Sequence, residues 1–241
     1  VAEVVELWLY LTTTPLFGLT ATLVVYVLAF AVYERLGQAP LANPVLWSVV
    51  ALGAGLLATG TPYPAYFAGA QFIHVLLGPA VVALSWPLWQ RRHELRARGA
   101  KLVIAGLVGG LAAAVTAVGL GLALGLPADV VRSLAPKSVT APVAMGLAEQ
   151  VGGRAALAAV FAVLTGIVGA VMAKPLFDRL GVHDWTVRGF ALGTVSHGIG
   201  AARAMQVHPD AGAYAGLALA LQVLLVSVWM SLAAAWLAGL G

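Results

Sequence analysis

The chain contains no cysteine, which excludes disulfides, thiolate nucleophiles and zinc–thiolate centres and leaves the redox compartment unread. Charge is nearly as scarce. Only 9% of the 241 residues are Asp, Glu, Lys or Arg, against about 25% in a soluble domain, too few to cover a surface facing water. Also missing are a G-x-S-x-G elbow, a P-loop and a dinucleotide fingerprint. The histidines at 74, 93, 183, 197 and 208 fall at no metal-ligand spacing. Ser196 and His197 are adjacent, but adjacency along the chain is not a nucleophile–base geometry. These absences point away from an enzyme and imply no metal and no cofactor.

What is present is apolar: 61% of the residues are hydrophobic and the mean hydropathy is +0.97. Runs at about 16–33, 41–58, 101–124, 155–173 and 211–240 are long enough to cross a hydrocarbon core of about 30 Å. Three further segments are apolar but interrupted: 66–89 by Gly78-Pro79, 130–150 by Pro136 to Thr140, and 188–207 by Ser196 to Gly200. The expected fold is therefore an all-α polytopic membrane protein of about eight membrane segments, two or three of them broken or re-entrant, forming one transmembrane domain over 1–241. Its partners are the lipid bilayer and, through the glycine-rich spans, a second copy in a homodimer. Val1 to Thr14, lacking a basic start and a cleavage site, reads as an interfacial helix or partial span broken at Pro15. Gly106-x-x-x-Gly110 and Gly121-x-x-x-Gly125 are small-residue packing motifs.

The pI of 9.7 does not signal nucleic acid, because the basic residues sit beside apolar segments. Arg91, Arg92, Arg96, Arg98 and Lys101 face only Glu94, with Trp86 and Trp89 just before them. This loop reads as cytoplasmic, with the tryptophans as interface anchors. Counting back places Val1 outside and Arg35 inside. Beyond Leu124 two topologies stay open. If the Pro136 segment crosses, the chain ends outside after eight crossings; if it is a hairpin, the second half is inverted and the end lies inside. Matching interruptions after a spanning helix, at Leu77 to Val81 and at His197 to Ala201, suggest repeat halves 1–125 and 126–241, and such matched breaks point to a transporter's binding site.

A helix broken inside a membrane must face protein or a polar cavity, and each half-helix that restarts there offers unpaired amides and a partial positive charge to an anion. Ser138 or Thr140 is expected to cap the half-helix toward Gln150, with Pro142 in its first turn, and Ser196 the one through Arg203. Lys137 sits at one break, near Arg132, and Arg203 follows the other. Hydroxyls, amides, an Arg fork and a Lys point charge together suit a carboxylate, so the candidate substrate-binding residues are Gly78, Lys137, Ser138, Thr140, His197, Gly198 and Arg203. The structural alternatives are that Lys137 snorkels or pairs with Asp129 or Glu149, that Arg203 is a cytoplasmic anchor just before His208 and Asp210, and that His197 is a buried hydrogen-bonded histidine rather than a proton carrier. His74 reads as structural, and Gly198 and Gly200 as backbone accommodation.

Ser133-Leu-Ala-Pro-Lys-Ser-Val-Thr-Ala-Pro-Val-Ala-Met145 and Gly193-Thr-Val-Ser-His-Gly-Ile-Gly-Ala-Ala-Arg-Ala204 resemble the signature segments of the LrgB/CidB family. Asn43-Pro44, Leu76 to Leu84 and Gly152-Gly153 extend the likeness over nearly the whole chain. Ala141 and Ala201 stand where the family has threonine, which removes a hydroxyl at each point. The resemblance implies a bacterial cytoplasmic-membrane protein of one of two kinds. One is a carrier of small monocarboxylates of the glycolate, glycerate or pyruvate class, like the plastidial glycolate/glycerate translocator. The other is an antiholin- or holin-like regulator of murein hydrolase activity and lysis, working beside a small LrgA-type membrane partner.

Overall fold

In the computed structural model, which describes residues 16–76, 79, 85–90 and 92–238, every regular element is helical. The elements are α1 (Phe17–Arg35), a 3-10 turn (Pro40–Ala42), α2 (Pro44–Thr59), α3 (Tyr63–Val75), α4 (Ser85–Gln90), α5 (Arg92–Ala123), α6 (Ala128–Leu134), α7 (Ala141–Gln150), α8 (Ala155–Arg179), α9 (Trp185–Val207) and α10 (Pro209–Ala238). Four of the five uninterrupted apolar runs each fall on one helix, and 41–58 falls on the 3-10 turn and α2. Segments of α1, α5, α8 and α10 are long and apolar enough to span a bilayer, while Pro44–Thr59 is apolar but shorter. The chain is an integral membrane protein. Val1 to Thr14 and Gly78 lie outside the described residues, as does the side chain of His74.

Contacts divide the chain into two compact units, Val1–Val82 and Ala83–Gly241. In the first, α1 packs on α2 and α3. Gly18 allows the approach to α3: a Cβ there would lie 1.9 Å from the Tyr66 carbonyl oxygen, and the Thr22 and Tyr66 hydroxyls share a hydrogen bond of 2.7 Å across the seam. Asn43 starts α2 by accepting from the Val45 and Leu46 amides at 2.9 and 3.2 Å, and Gly60 ends it in the left-handed conformation that glycine adopts without a Cβ clash.

The second unit is built on α5, α8 and α10, and the two remaining apolar segments turn back on themselves. The first hairpin is α6, the non-helical stretch 135–140, and α7. Its two ends meet: Arg154 pairs with Asp129 at 3.0 Å, and the Ser133 hydroxyl accepts from the Arg154 amide at 2.7 Å. The second hairpin is α9, whose helical arms 185–196 and 198–207 are separated by His197 at φ 40°, ψ −133°. A straight helix of this length would hold its ends more than 30 Å apart, yet the Trp185 and His208 rings stack 5.1 Å centroid to centroid.

The through-going helices fix the sidedness of the hairpins. Gly106 and Gly110 of α5 receive Leu221, Gln222 and Leu225 of α10, and Gly121, near the end of α5, touches Val131 and Leu134 of the first hairpin. The first hairpin therefore enters from the face where α5 ends, α8 returns to the face where α5 begins, and the second hairpin enters from there. This corrects both sequence-derived topologies, because each counted 188–207 as a crossing. As that segment also turns back, α10 runs parallel to α5 and ends on the face opposite the basic loop.

Candidate functional site

The two hairpins reach the interior from opposite faces, and their tips meet one stretch of α8. Small residues recur there every fourth position: Ala158, Ala162, Gly166 and Ala170, all buried. Ala158 and Ala162 share a core with Val139, Ala144, Leu147 and Ala148 of the first hairpin. On the second hairpin, the Ala162 carbonyl lies 2.7 Å from His197 Nε2; a carbonyl only accepts, so Nε2 carries the proton. Gly166 and Gly169 make room for the break: a Cβ would lie 2.9 Å from His197 Cε1 at the first and 1.7 Å from the Ser196 hydroxyl at the second. Positive φ at a non-glycine residue costs on the order of 1–3 kcal/mol, and the bond to Ala162 helps to hold His197 in it.

Of the residues singled out from the sequence, the structure gathers Lys137, Ser138, Thr140, His197 and Gly198 at these tips. Lys137 is half-buried, its ammonium 3.4 Å from the Ser138 hydroxyl and within Coulombic reach of the His197 imidazole. Among the described residues it has no ion pair; Asp129, one of its two candidate carboxylates, is held by Arg154 instead. The Thr140 and Ser196 hydroxyl oxygens are buried without a hydrogen-bond partner among the described residues. Gly198 is half-buried, with open space where a Cβ would be.

The expected caps are not made. Thr140 occupies the N-cap position of α7, but its side chain makes no capping bond. An N-cap side chain accepts from the second or third amide of the helix; the second residue, Pro142, has none to give, and Thr140 makes no bond to the third, that of Val143. Ser196 precedes the break and belongs to the incoming arm, so it cannot cap the outgoing one. Both hydroxyls are thereby left for another partner.

Arg203 lies elsewhere. It lines a cavity of about 70 Å³ at the base of the second hairpin with Lys174, Phe177, Trp185 and Arg188, and no residue of the first hairpin takes part. Arg188, 8% exposed, donates to Asp178 at 2.6 Å and to the Val182 carbonyl at 2.5 Å, with its guanidinium over the Phe177 and Trp185 rings. Arg132 lies at the base of the first hairpin, against Gly152.

Sequence reasoning missed α8 as the wall common to both tips. The signal was there in its small residues at a spacing of four, which put them on one helical face.

The profile of the LrgB-like family matches residues 22–236. The chain belongs to the LrgB-like family. Among related LrgB-like sequences, an uncharacterized protein of Haemophilus influenzae is 33% identical over 77% of this chain and 80% of its own. YwbG of Bacillus subtilis, also uncharacterized, is 29% identical over 86% of this chain and 92% of its own. The holin-like protein CidB of Staphylococcus aureus is 28% identical over 86% and 90%. No solved structure matches the chain.

Proposed function

We propose that this LrgB-like protein is a secondary transporter of small 2-hydroxy or 2-keto monocarboxylates, of the glycolate, glycerate or pyruvate class, in a bacterial cytoplasmic membrane. The observation that carries the reading is the pair of re-entrant hairpins entering from opposite faces, their tips meeting on one helix beside a half-buried ammonium that has no carboxylate partner among the described residues. Non-helical backbone at membrane depth has to line a cavity or lie in protein, and transporters place their substrate at such breaks. A carboxylate would pair with Lys137 and accept from the orphaned Thr140 and Ser196 hydroxyls, while the hydroxyl or keto group alpha to it would meet Ser138 and the opened backbone at Gly198. Each hairpin covers the site from one face and is a natural gate. The cations around Arg203 give the opposite approach to the site a positive field that draws anions inward. The active form is a homodimer, with an LrgA-type membrane protein as its partner.

The name of the staphylococcal relatives, holin-like protein CidB, favours a second reading, a regulator of lysis that acts by oligomerising. Uptake of radiolabelled glycolate, glycerate and pyruvate into proteoliposomes separates the two. A carrier gives saturable uptake that the unlabelled acids inhibit. A holin-like protein gives leak that depends on oligomer formation, rises linearly with solute concentration and includes neutral sugars.

A further inference from the structure

A second cavity, of about 450 Å³, lies between α5 and the incoming arm of the second hairpin. Its α5 wall carries Arg98, Lys101, Leu102, Ala105 and Gly109, and its hairpin wall Thr186, Val187, Phe190, Ala191, Thr194 and Val195; each set is a single helical face, recurring at intervals of three and four. The composition changes with depth. At the mouth are the two cations, both exposed and neither in an ion pair among the described residues. Leu102, Ala105, Phe190 and Val195 make the rest apolar. At the inner end the Thr194 methyl closes on Gly109, where a Cβ would stand 3.2 Å away.

From Arg98 to Gly109 a helix rises about 16 Å, about half of a 30 Å hydrocarbon core and so the depth of one leaflet. Two carboxylates stand nearby and keep their charge, Asp184, within Coulombic reach of Arg98 and accepting from Thr186 and Val187, and Glu94, accepting from Tyr214 of the cavity wall; among the described residues neither forms an ion pair with Arg98 or Lys101. The mouth lies on the basic-loop face, assigned to the cytoplasm by its arginines.

We propose that this groove binds one anionic phospholipid of the inner leaflet, its phosphate between Arg98 and Lys101 and one acyl chain along α5 and Phe190, ending at Thr194. A bound chain would lie against the arm that leads to His197 and so couple the membrane's anionic lipid content to the second hairpin. Basic pockets between spanning helices on the cytoplasmic side are suited to such head groups, and the cations, the apolar length and the leaflet depth together favour a lipid over a free anion. The proposal does not depend on the transport reading.

The test is native mass spectrometry of the full chain in detergent, titrated with dioleoylphosphatidylglycerol, dioleoylphosphatidylcholine or the chainless head group glycerophosphoglycerol. Saturable binding of one phosphatidylglycerol is expected, well above phosphatidylcholine. Arg98→Ala with Lys101→Ala weakens it about thirtyfold, the equivalent of about 1 kcal/mol per basic residue near an anionic surface. Ala105→Trp, which fills the groove and leaves both cations, weakens it at least tenfold, and a thermal-unfolding curve confirms that each variant is folded. Equal binding of phosphatidylcholine would overturn the proposal, as would head-group binding as tight as that of the lipid or affinity unchanged in both variants. A shift from dimer to monomer in the groove variants, without loss of lipid, would overturn it too, by assigning the groove to a second copy.

Discussion

Tyr214 donates a hydrogen bond to the Glu94 carboxylate, joining the second turn of α10 to the first turn of α5. Two spanning helices that begin together and pack side by side run in the same direction, and with each hairpin closed at its base, Asp129 on Arg154 and Trp185 on His208, the chain between them crosses once, on α8. The absence of cysteine makes this directly testable with single cysteines. Leu126→Cys and Glu149→Cys should both react with an impermeant maleimide added outside intact cells. His183→Cys and Val207→Cys should react only after the cells are opened. A hairpin that crossed the membrane would split one of these pairs between the two sides.

The second hairpin is held on α10 by contact between backbones. A Cβ at Gly193 would lie 2.2 Å from the Ala215 carbonyl oxygen, whereas nothing stands within 4 Å of one at Gly198. Gly193→Ala should therefore cost about 1–3 kcal/mol, the range for overpacking a tight contact. Gly198→Ala should leave stability nearly unchanged. Thermal unfolding of the two purified variants, side by side, checks the contrast.

Ser133, wholly buried, closes the first hairpin by accepting from the Arg154 amide and donating to the Asp129 carbonyl at 2.7 Å each. Ser133→Ala leaves that amide without its partner, a loss of about 1–3 kcal/mol. A clear drop in the unfolding midpoint is expected. The control, Ser231→Ala, loses only a 3.3 Å bond to Gln150 at an exposed position and should change little.

Asp184 caps α9 outside the membrane. The Thr186 hydroxyl, followed by the Thr186 and Val187 amides, holds its carboxyl below the ordinary value of 3.8. With the folded pKa depressed, the cap's contribution is complete above the unfolded value and is lost as pH falls through the folded one. The wild-type unfolding midpoint should thus decline below about pH 4 more steeply than that of Asp184→Asn. Parallel curves for the two proteins would remove Asp184 from the pH dependence.

Much of this fold was legible in the sequence because the bilayer allows so few solutions. An uninterrupted apolar run of about 20 residues has to be a helix, and Pro136 and Ser196-His197-Gly198 marked the breaks. Whether a broken segment crosses or returns was not legible, since hydropathy is the same either way. The answer lies in pairings between distant residues, Asp129 with Arg154 and Trp185 with His208. The tip residues Lys137, Ser138, Thr140, His197 and Gly198 were found as polar groups inside apolar segments. For Arg203 the sequence left a site residue and an anchor both open; a hairpin carries a residue two turns past its tip back toward the base, away from the site. The capping roles failed for local reasons, a proline at the second position of α7 and a break one residue later than Ser196.

The central claim is that the two hairpin tips hold a carboxylate through Lys137. Initial rates of glycolate uptake into proteoliposomes test it most directly, comparing wild type with Lys137→Ala and with Thr140→Val combined with Ser196→Ala. Saturable uptake is predicted for the wild type, with kcat/KM at least a hundredfold lower in Lys137→Ala, about the 3 kcal/mol lost with a charged hydrogen-bond partner, and about tenfold lower in the hydroxyl variant. Folded Lys137→Ala protein that takes up glycolate at the wild-type rate would contradict the account.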